Sequence, residues 1–268
     1  MRFDLHTHHE RCGHAVGEVE DYVLAALDQG LDAIGISDHS PFFHSDKEQA
    51  DPGIAMEKRE FPAYVKDVLR LKEKYADRIE VLLGVEADFL PEGVASYRRQ
   101  LQKYPLDYVI GSVHYTFGRN IFDRDRWKGA DDEDLFKVKE AYFDLIAASA
   151  RSGDYQVLGH IDAIKGFCPE ITDIQTNKVE NALQTIAEEQ VAIEVNTSGK
   201  MKACGGWYPS EDILERACFY GVPVTMGSDA HHPRRVGDDL EAVRAKLKDI
   251  GFTEWWLFRE KKPVSVAL

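Results

Sequence analysis

Residues 4–14 read Asp-Leu-His-Thr-His-His-Glu-Arg-Cys-Gly-His (DLHTHHERCGH), which places four histidines near the start of a 268-residue chain. They form a metal nest, a set of solvated imidazoles or an accident of composition, and the stretch alone does not choose. The rest of the chain does, because the same punctuation recurs. The strand-like segment Arg2–His6 runs into His6, His8 and His14. Asp32–Ser37 runs into Asp38-His39, Glu80–Glu86 ends on Glu86, and Tyr108–His114 ends on His114. Val157–Ile161 carries His160 with Asp162 just beyond, and Val222–Ser228 runs into Asp229-Ala230-His231. Only the sixth of the seven apolar runs, Ala192–Asn196, shows no such ending.

The interiors of these runs are rich in Val, Ile and Leu, as expected of strands buried on both faces. Helical patterns lie between them, at Val19–Gln29, Glu60–Tyr75, Asp134–Ser149, Thr176–Glu188 and Ser210–Phe219. Strands alternating with helices imply a parallel α/β sheet. Seven such units in one domain over 1–268 point to a closed (β/α) barrel with outer helices. An open doubly wound sheet is the alternative, because periodicity does not establish closure. In a parallel barrel the strand ends share one face, so acids and imidazoles spread over most of the chain would meet there. The loops His39–Glu57 and Tyr115–Asp132 are expected to form the rim. The Trp255-Trp256 pair reads as a strand-like segment closing the core.

Composition narrows the class. Hydrophobic residues are 44% and charged residues 30% of the chain, an ordinary globular balance. No apolar run approaches the roughly 18–20 residues needed to span a bilayer. Met1-Arg2-Phe3-Asp4 leads straight into strand, so no signal peptide is expected. The four cysteines (Cys12, Cys168, Cys204, Cys218) include no CxxC pair, which fits free thiols in the cytoplasm. A net charge of −14 argues against long nucleic acid as the partner. It leaves room for a small phosphorylated substrate whose counter-charge comes from metal. Oligomeric state leaves no mark in the sequence.

Each strand-end residue has a bland reading: a hydrogen-bonded His, or a Glu that caps a helix. Six coincidences in one topological place have a simpler common cause. Gathering that many imidazoles and carboxylates in one buried spot is costly unless cations compensate them. Imidazole with carboxylate suits zinc, iron, manganese or cobalt, and the number of groups suits two or three ions rather than one.

The segments DLHTH with His14, GISDH, GVEADF, GSVHY, GHID and GSDAHHP resemble, in order, those of the PHP (polymerase and histidinol phosphatase) superfamily of metal-dependent phosphoesterases. The resemblance implies a distorted (β/α)7 barrel with a trinuclear site. Its ligands would be His6, His8, His14, His39, Glu86, His114, His160, Asp229 and His231, with Glu86 bridging two metals. Cys12-Gly13-His14 departs from the Cys-Pro-His expected there but keeps the ligand. GHIDAIKGF, IEVNTSG with YPSEDIL, and GSDAHHPRRVG look like the histidinol-phosphate phosphatases. That implies hydrolysis of L-histidinol phosphate, the penultimate stage of histidine biosynthesis, by attack of a metal-bridging hydroxide. The alternatives are another small phosphomonoester, a nucleotide or short oligonucleotide phosphodiester, or a non-catalytic metal-binding module.

Asp38 and His232 are the candidate proton donors to the leaving alcohol, and Asp4 and Asp162 the candidate orienters of imidazoles. Lys165, Arg234 and Arg235 are candidate phosphate anchors, Lys165 foremost because it matches a basic position of the resembling segment. Asp88, Phe117 and Asp123 are unranked candidates for gripping the imidazole or amine of the substrate. His9, His44 and His232 match no role in the resembling motifs and are expected to be exposed or to stand behind ligands. Cys12 reads as a small packing residue.

Overall fold

In the computed structural model, which describes all 268 residues, the apolar runs become short strands, most of them wholly buried. They are β1 (Phe3–Asp4), β2 (Ala33–Ile36), β3 (Glu80–Leu83), β4 (Glu86–Asp88) and β5 (Ile110–Ser112), then β8 (Val157–Leu158), β9 (Ala192–Asn196) and β10 (Val224–Gly227). Two-residue strands β6 (Tyr115–Thr116) and β7 (Arg119–Asn120) make a small hairpin after β5. β11 (Glu254–Arg259) and β12 (Lys262–Ala267) make a longer one at the end of the chain.

Parallel pairing runs β1–β2–β3 and β4–β5–β8–β9–β10. β3 and β4 are two halves of one stave, bent at Gly84-Val85 where the pairing changes partner: Gly84 N–H donates to Ile36 O and Ile110 N–H to Val85 O. The first and last staves meet as well. Leu5 N–H donates to Met226 O at 2.9 Å, and Thr7 bridges Ala230 in parallel. Counting β3 and β4 once, seven staves close a (β/α)7 barrel.

Seven helices surround it: α1 (Val19–Asp28), α2 (Phe61–Lys74), α3 (Val94–Leu101), α4 (Asp132–Arg151), α5 (Lys178–Glu189), α6 (Glu211–Tyr220) and α7 (Leu240–Ile250). Local chemistry sets their ends. A reciprocal Glu18–Asp21 capping box starts α1, whose buried Val19, Tyr22, Val23 and Ala26 follow helical spacing. Asp131 caps α4 by accepting from Asp134 N, and glycines at positive φ, Gly221 and Gly251, stop α6 and α7. None of these helices is long and apolar enough to cross a membrane.

The terminal hairpin plugs the end of the barrel where the strands begin. Trp255 is fully buried with its ring 4.8 Å from Phe3, while Trp256 is only partly buried. Arg259 pairs with Glu80, and Lys261 N–H donates to Asp107 O. The opposite mouth is left to the loops.

Two glycines are dictated by close approach. A Cβ on Gly35 would lie 1.9 Å from the hydroxyl of Tyr108, which crosses the barrel to donate to Leu5 O. A Cβ on Gly227 would lie 2.4 Å from Glu194 Oε2 and 2.7 Å from His6 Cβ. Only a bare backbone at 227 lets those two side chains meet.

Candidate metal centre

The carboxyl ends of the staves gather eight side chains around Glu86, which is 2% exposed. Its two oxygens face different partners. Oε2 lies 2.8 Å from His39 Nδ1, 3.4 Å from His6 Nε2 and 3.6 Å from His8 Nε2. Oε1 lies 3.2 Å from His160 Nε2 and 3.5 Å from His114 Nε2, and accepts from Ser112 Oγ at 2.6 Å. Asp229 Oδ1 is 3.0 Å from His8 Nε2 and 3.4 Å from His231 Nδ1, and His231 Nε2 is 2.8 Å from His14 Nε2. All nine residues singled out in the sequence therefore form one contiguous cluster.

Two of them, His160 (φ 24°) and Asp229 (φ 52°), hold positive backbone angles that side-chain-bearing residues rarely adopt. Such strain persists where the surroundings over-determine a functional geometry. His160 is held by its N–H to Glu194, Asp229 by Ser198 Oγ–H at 2.9 Å.

The donor set fits divalent cations. His6 Nε2, His8 Nε2 and Glu86 Oε2 are buried without a hydrogen-bond partner, a costly state unless another electrophile serves them. Imidazole nitrogens also face each other across 2.8 Å (His14–His231) and 3.3 Å (His114–His160), so ring nitrogens converge on shared space. Three groups with ligand atoms mutually within 4.8 Å overlap in this cluster: His6, His8 and Glu86; Glu86, His114 and His160; His8, His39 and His231.

The electrostatics divide the imidazoles. Burial, reinforced by His39 and His8, pulls His14 down to about 4; burial and His8 pull His231 down to about 3. Both rings stay neutral. Burial also opposes charge on His8 and His114. Asp229 and Asp38 outweigh it for His8, and Asp88 and Glu86 for His114, raising each to about 9. Burial would raise Glu86 and Asp229, yet the surrounding imidazoles hold both well below the usual carboxylate range.

Several sequence expectations need correction. Asp38 faces away from the mouth: fully buried, it accepts from His8 Nδ1 and the His39 N–H and pairs with His9. Burial would raise it, but His9 and His8 hold it well below the usual range, so it has no proton to give. Asp4 and Asp162 touch no imidazole. Asp4 accepts the N–H groups of His6, Ser228 and Gly237, while Asp162 accepts from Lys165 Nζ and Ser210 N. The orienting carboxylates are instead Glu194 on His6 (2.8 Å), Asp88 on His114 (2.7 Å) and Asp38 on His8 (3.2 Å). That use of Asp88 takes it away from the substrate. Glu194 went unnoticed, although a charged residue inside the buried run AIEVN was its signal.

Lys165 is 5% exposed and donates to Asp162 at 2.7 Å and Trp207 O at 2.9 Å, outside the mouth. Its charge is spent within the wall. Lys165→Ala is expected to leave KM within about twofold and to lower stability by about 3 kcal/mol, the scale for stranding one partner of a buried pair. Urea unfolding beside steady-state kinetics measures both. Arg234 is exposed and does not line the mouth, whereas Arg235 lines it and pairs with Asp238 at 2.7 Å. Phe117 stands 71% exposed at the hairpin tip, and Asp123 pairs with Arg119 on the surface; neither lines the mouth. His9 is buried, His44 is exposed against Tyr97, and His232 lines the mouth. Cys12 is buried, its thiol donating to His9 O and pushed up by burial.

Above the cluster lies a cavity of about 510 Å³, open at the mouth. Glu86, Asp229 and five of the imidazoles form its floor; Ile54, Tyr115, Asn120, Phe122 and Met201 contribute walls from three loops. Lys202, which the sequence analysis missed, also lines it. Its Nζ sits 5.2 Å over the Phe122 ring and 5.6 Å over Phe167, with no carboxylate in ion-pair range.

A barrel whose mouth gathers histidines and carboxylates in this order defines a class. Residues 4–198 match the PHP domain, and the chain belongs to that family. It is 34% identical over 249 residues to a probable histidinol-phosphatase of Deinococcus radiodurans, covering 92% of this chain and 93% of that protein. A probable histidinol-phosphatase of Schizosaccharomyces pombe is 28% identical, over 98% of this chain and 91% of its own. The fold superimposes on histidinol phosphate phosphatase from Lactococcus lactis, crystallised with zinc, L-histidinol and phosphate. That match has a TM-score of 0.81 at 19% identity and covers 98% of each chain.

Proposed function

We propose that the chain, as one PHP domain over residues 1–268, is a metal-dependent phosphomonoesterase of histidine biosynthesis that hydrolyses L-histidinol phosphate to L-histidinol and phosphate. The observation that carries this reading is Glu86, whose two oxygens address separate sets of imidazoles directly beneath the open cavity. The histidinol-phosphatase names of its relatives supply the substrate.

His6, His8, His14, His39, Glu86, His114, His160, Asp229 and His231 would hold two to three divalent ions, of zinc, iron or manganese. Bound there, the ions supply charge neutralisation at phosphorus and a nucleophile at neutral pH. Glu194, Asp88 and Asp38 fix the tautomers of His6, His114 and His8, so that lone pairs face inward. Lys202, Arg235 and His232 line the cavity; the two cations would receive the non-bridging phosphate oxygens, and His232 would protonate the departing alkoxide. Phe122 offers an aromatic face, and Asn120 and Tyr115 offer hydrogen bonds, to the rest of the substrate. The four free thiols suit a reducing, cytoplasmic setting.

Lys202→Ala is expected to raise KM about tenfold and change kcat less, the scale for losing one charge-assisted contact. Initial rates over a range of substrate concentrations give that split. The substrate assignment is tested by comparing kcat/KM for histidinol phosphate with a panel of phosphomonoesters and a dinucleotide diester. A preference of at least tenfold for histidinol phosphate is expected. Equal efficiency across the monoesters would overturn the specificity, and a preference for the diester would overturn the phosphomonoesterase assignment.

A further inference from the structure

His8 is joined by a line of contacts to the surface of α2. Its Nδ1 faces Asp38 Oδ1 at 3.2 Å, and that oxygen also accepts the His39 N–H at 2.9 Å. Asp38 Oδ2 pairs with His9 Nδ1. The other nitrogen of His9, Nε2, lies 3.1 Å from Arg11 Nη1, and Arg11 Nη2 reaches Asp67 on α2. Asp38 and His9 are 0% and 1% exposed, so no solvent intrudes between them.

Donor chemistry gives this line a direction. A guanidinium has donors and no acceptor. The nitrogen of His9 facing Arg11 must therefore be the acceptor, which places the ring proton on Nδ1, aimed at Asp38. The Asp38 carboxylate can only accept, so it takes a proton from His8 Nδ1 and meets the protonated face of His9 in a close ion-pair contact. With Nδ1 committed to Asp38, it is Nε2 of His8, facing Glu86 and Asp229, that would give up its proton to a metal ion. Without the Arg11 donor, His9 can carry its proton on Nε2. It would then turn a lone pair on Asp38, and Asp38 would lose half of what holds it against His8.

We propose that Arg11, acting through His9 and Asp38, is a positioning residue that fixes the tautomer and aim of His8 at the metal centre. The proposal rests on the reading of His8 as a ligand. Arg11 sits on the short helical turn Glu10–Cys12 between His8 and His14 and pairs with Asp67, so a purely structural tie is the competing role. A tie would affect stability alone.

The test uses the full chain stripped of metal. Long-range ¹H–¹⁵N spectra report the tautomer of each imidazole, and competition with a chromophoric chelator reports zinc affinity. For Arg11→Met we expect mixed tautomers at His9 and an approximately tenfold loss of zinc affinity, the lower end for groups that back a ligand. Arg11→Lys, which still donates, should restore both. The proposal is overturned if Arg11→Met keeps one Nδ1–H tautomer and wild-type affinity, or if Arg11→Lys is as impaired as Arg11→Met. His8→Ala separates the two readings: wild-type zinc binding in that variant would refute His8 as a ligand, whatever Arg11 does.

Discussion

Glu86→Gln is expected to lower kcat/KM by about a thousandfold and to reduce metal content while leaving the barrel folded. The substitution preserves shape and an acceptor for Ser112, but it turns one of two oxygens into a donor. That donor must face either the His6–His8–His39 side or the His114–His160 side. Whichever side receives it loses both an anionic ligand and the charge that balances its imidazoles. Metal-linked charge stabilisation is worth several kcal/mol, and about 1.4 kcal/mol corresponds to tenfold in rate. Elemental analysis of the purified variant, beside its kinetics and circular dichroism, checks all three parts. Full metal content with a loss below about tenfold would remove Glu86 from the bridging role.

Metal removal is expected to lower the melting temperature by roughly 10 °C near neutral pH. A ligand held at a thousand times its dissociation constant stabilises by about 4 kcal/mol, and each kcal/mol moves a chain approaching this size by about 2–4 °C. The gap should depend on pH in a definite sense. In the metal-free protein His8 and His114 are raised to about 9. Their contribution to stability is fully present below their unfolded value near 6.5 and is lost as pH rises through about 9. Metal binding has the opposite dependence, because it must displace those same protons, and affinity rises with pH until they are gone. The melting gap between loaded and stripped protein is thus expected to widen from about pH 6.5 to 9. Differential scanning calorimetry across that window decides it; a constant or narrowing gap would contradict the assignment of His8 and His114.

The barrel could be read from sequence because strand and helix runs alternate and because six of seven runs end on ligand-type residues. The apparent exception, Ala192–Asn196, also serves the centre through Glu194, but from within the strand rather than past its end. Closure was beyond periodicity, since it depends on contacts such as Leu5 with Met226, far apart in the chain. Neither α3 nor α7 is among the helical patterns named from sequence: only Tyr97 and Leu101 of the eight residues of α3 are buried, too few to set a period, whereas Leu240, Val243 and Leu247 of α7 did carry one.

The nine clustered residues were readable because each belongs to a motif at a strand end. Their supports were not, since proximity in sequence misleads once the chain folds. Asp4 and Asp162, beside ligands in the chain, hold backbone and Lys165, whereas Glu194 reaches His6 from 188 positions away. Lys165 fits a basic motif position, yet its Nζ is consumed by Asp162; Lys202, with no motif to mark it, lines the cavity between two aromatic rings.

Glu86 is proposed to join metals on its two sides. Anomalous diffraction from zinc-loaded crystals, collected on both sides of the zinc absorption edge, tests it most directly. One peak is expected on the His6–His8–His39 side of Glu86 and another on the His114–His160 side. A single peak bound by one side alone, with the other set of imidazoles empty at full zinc loading, would contradict it.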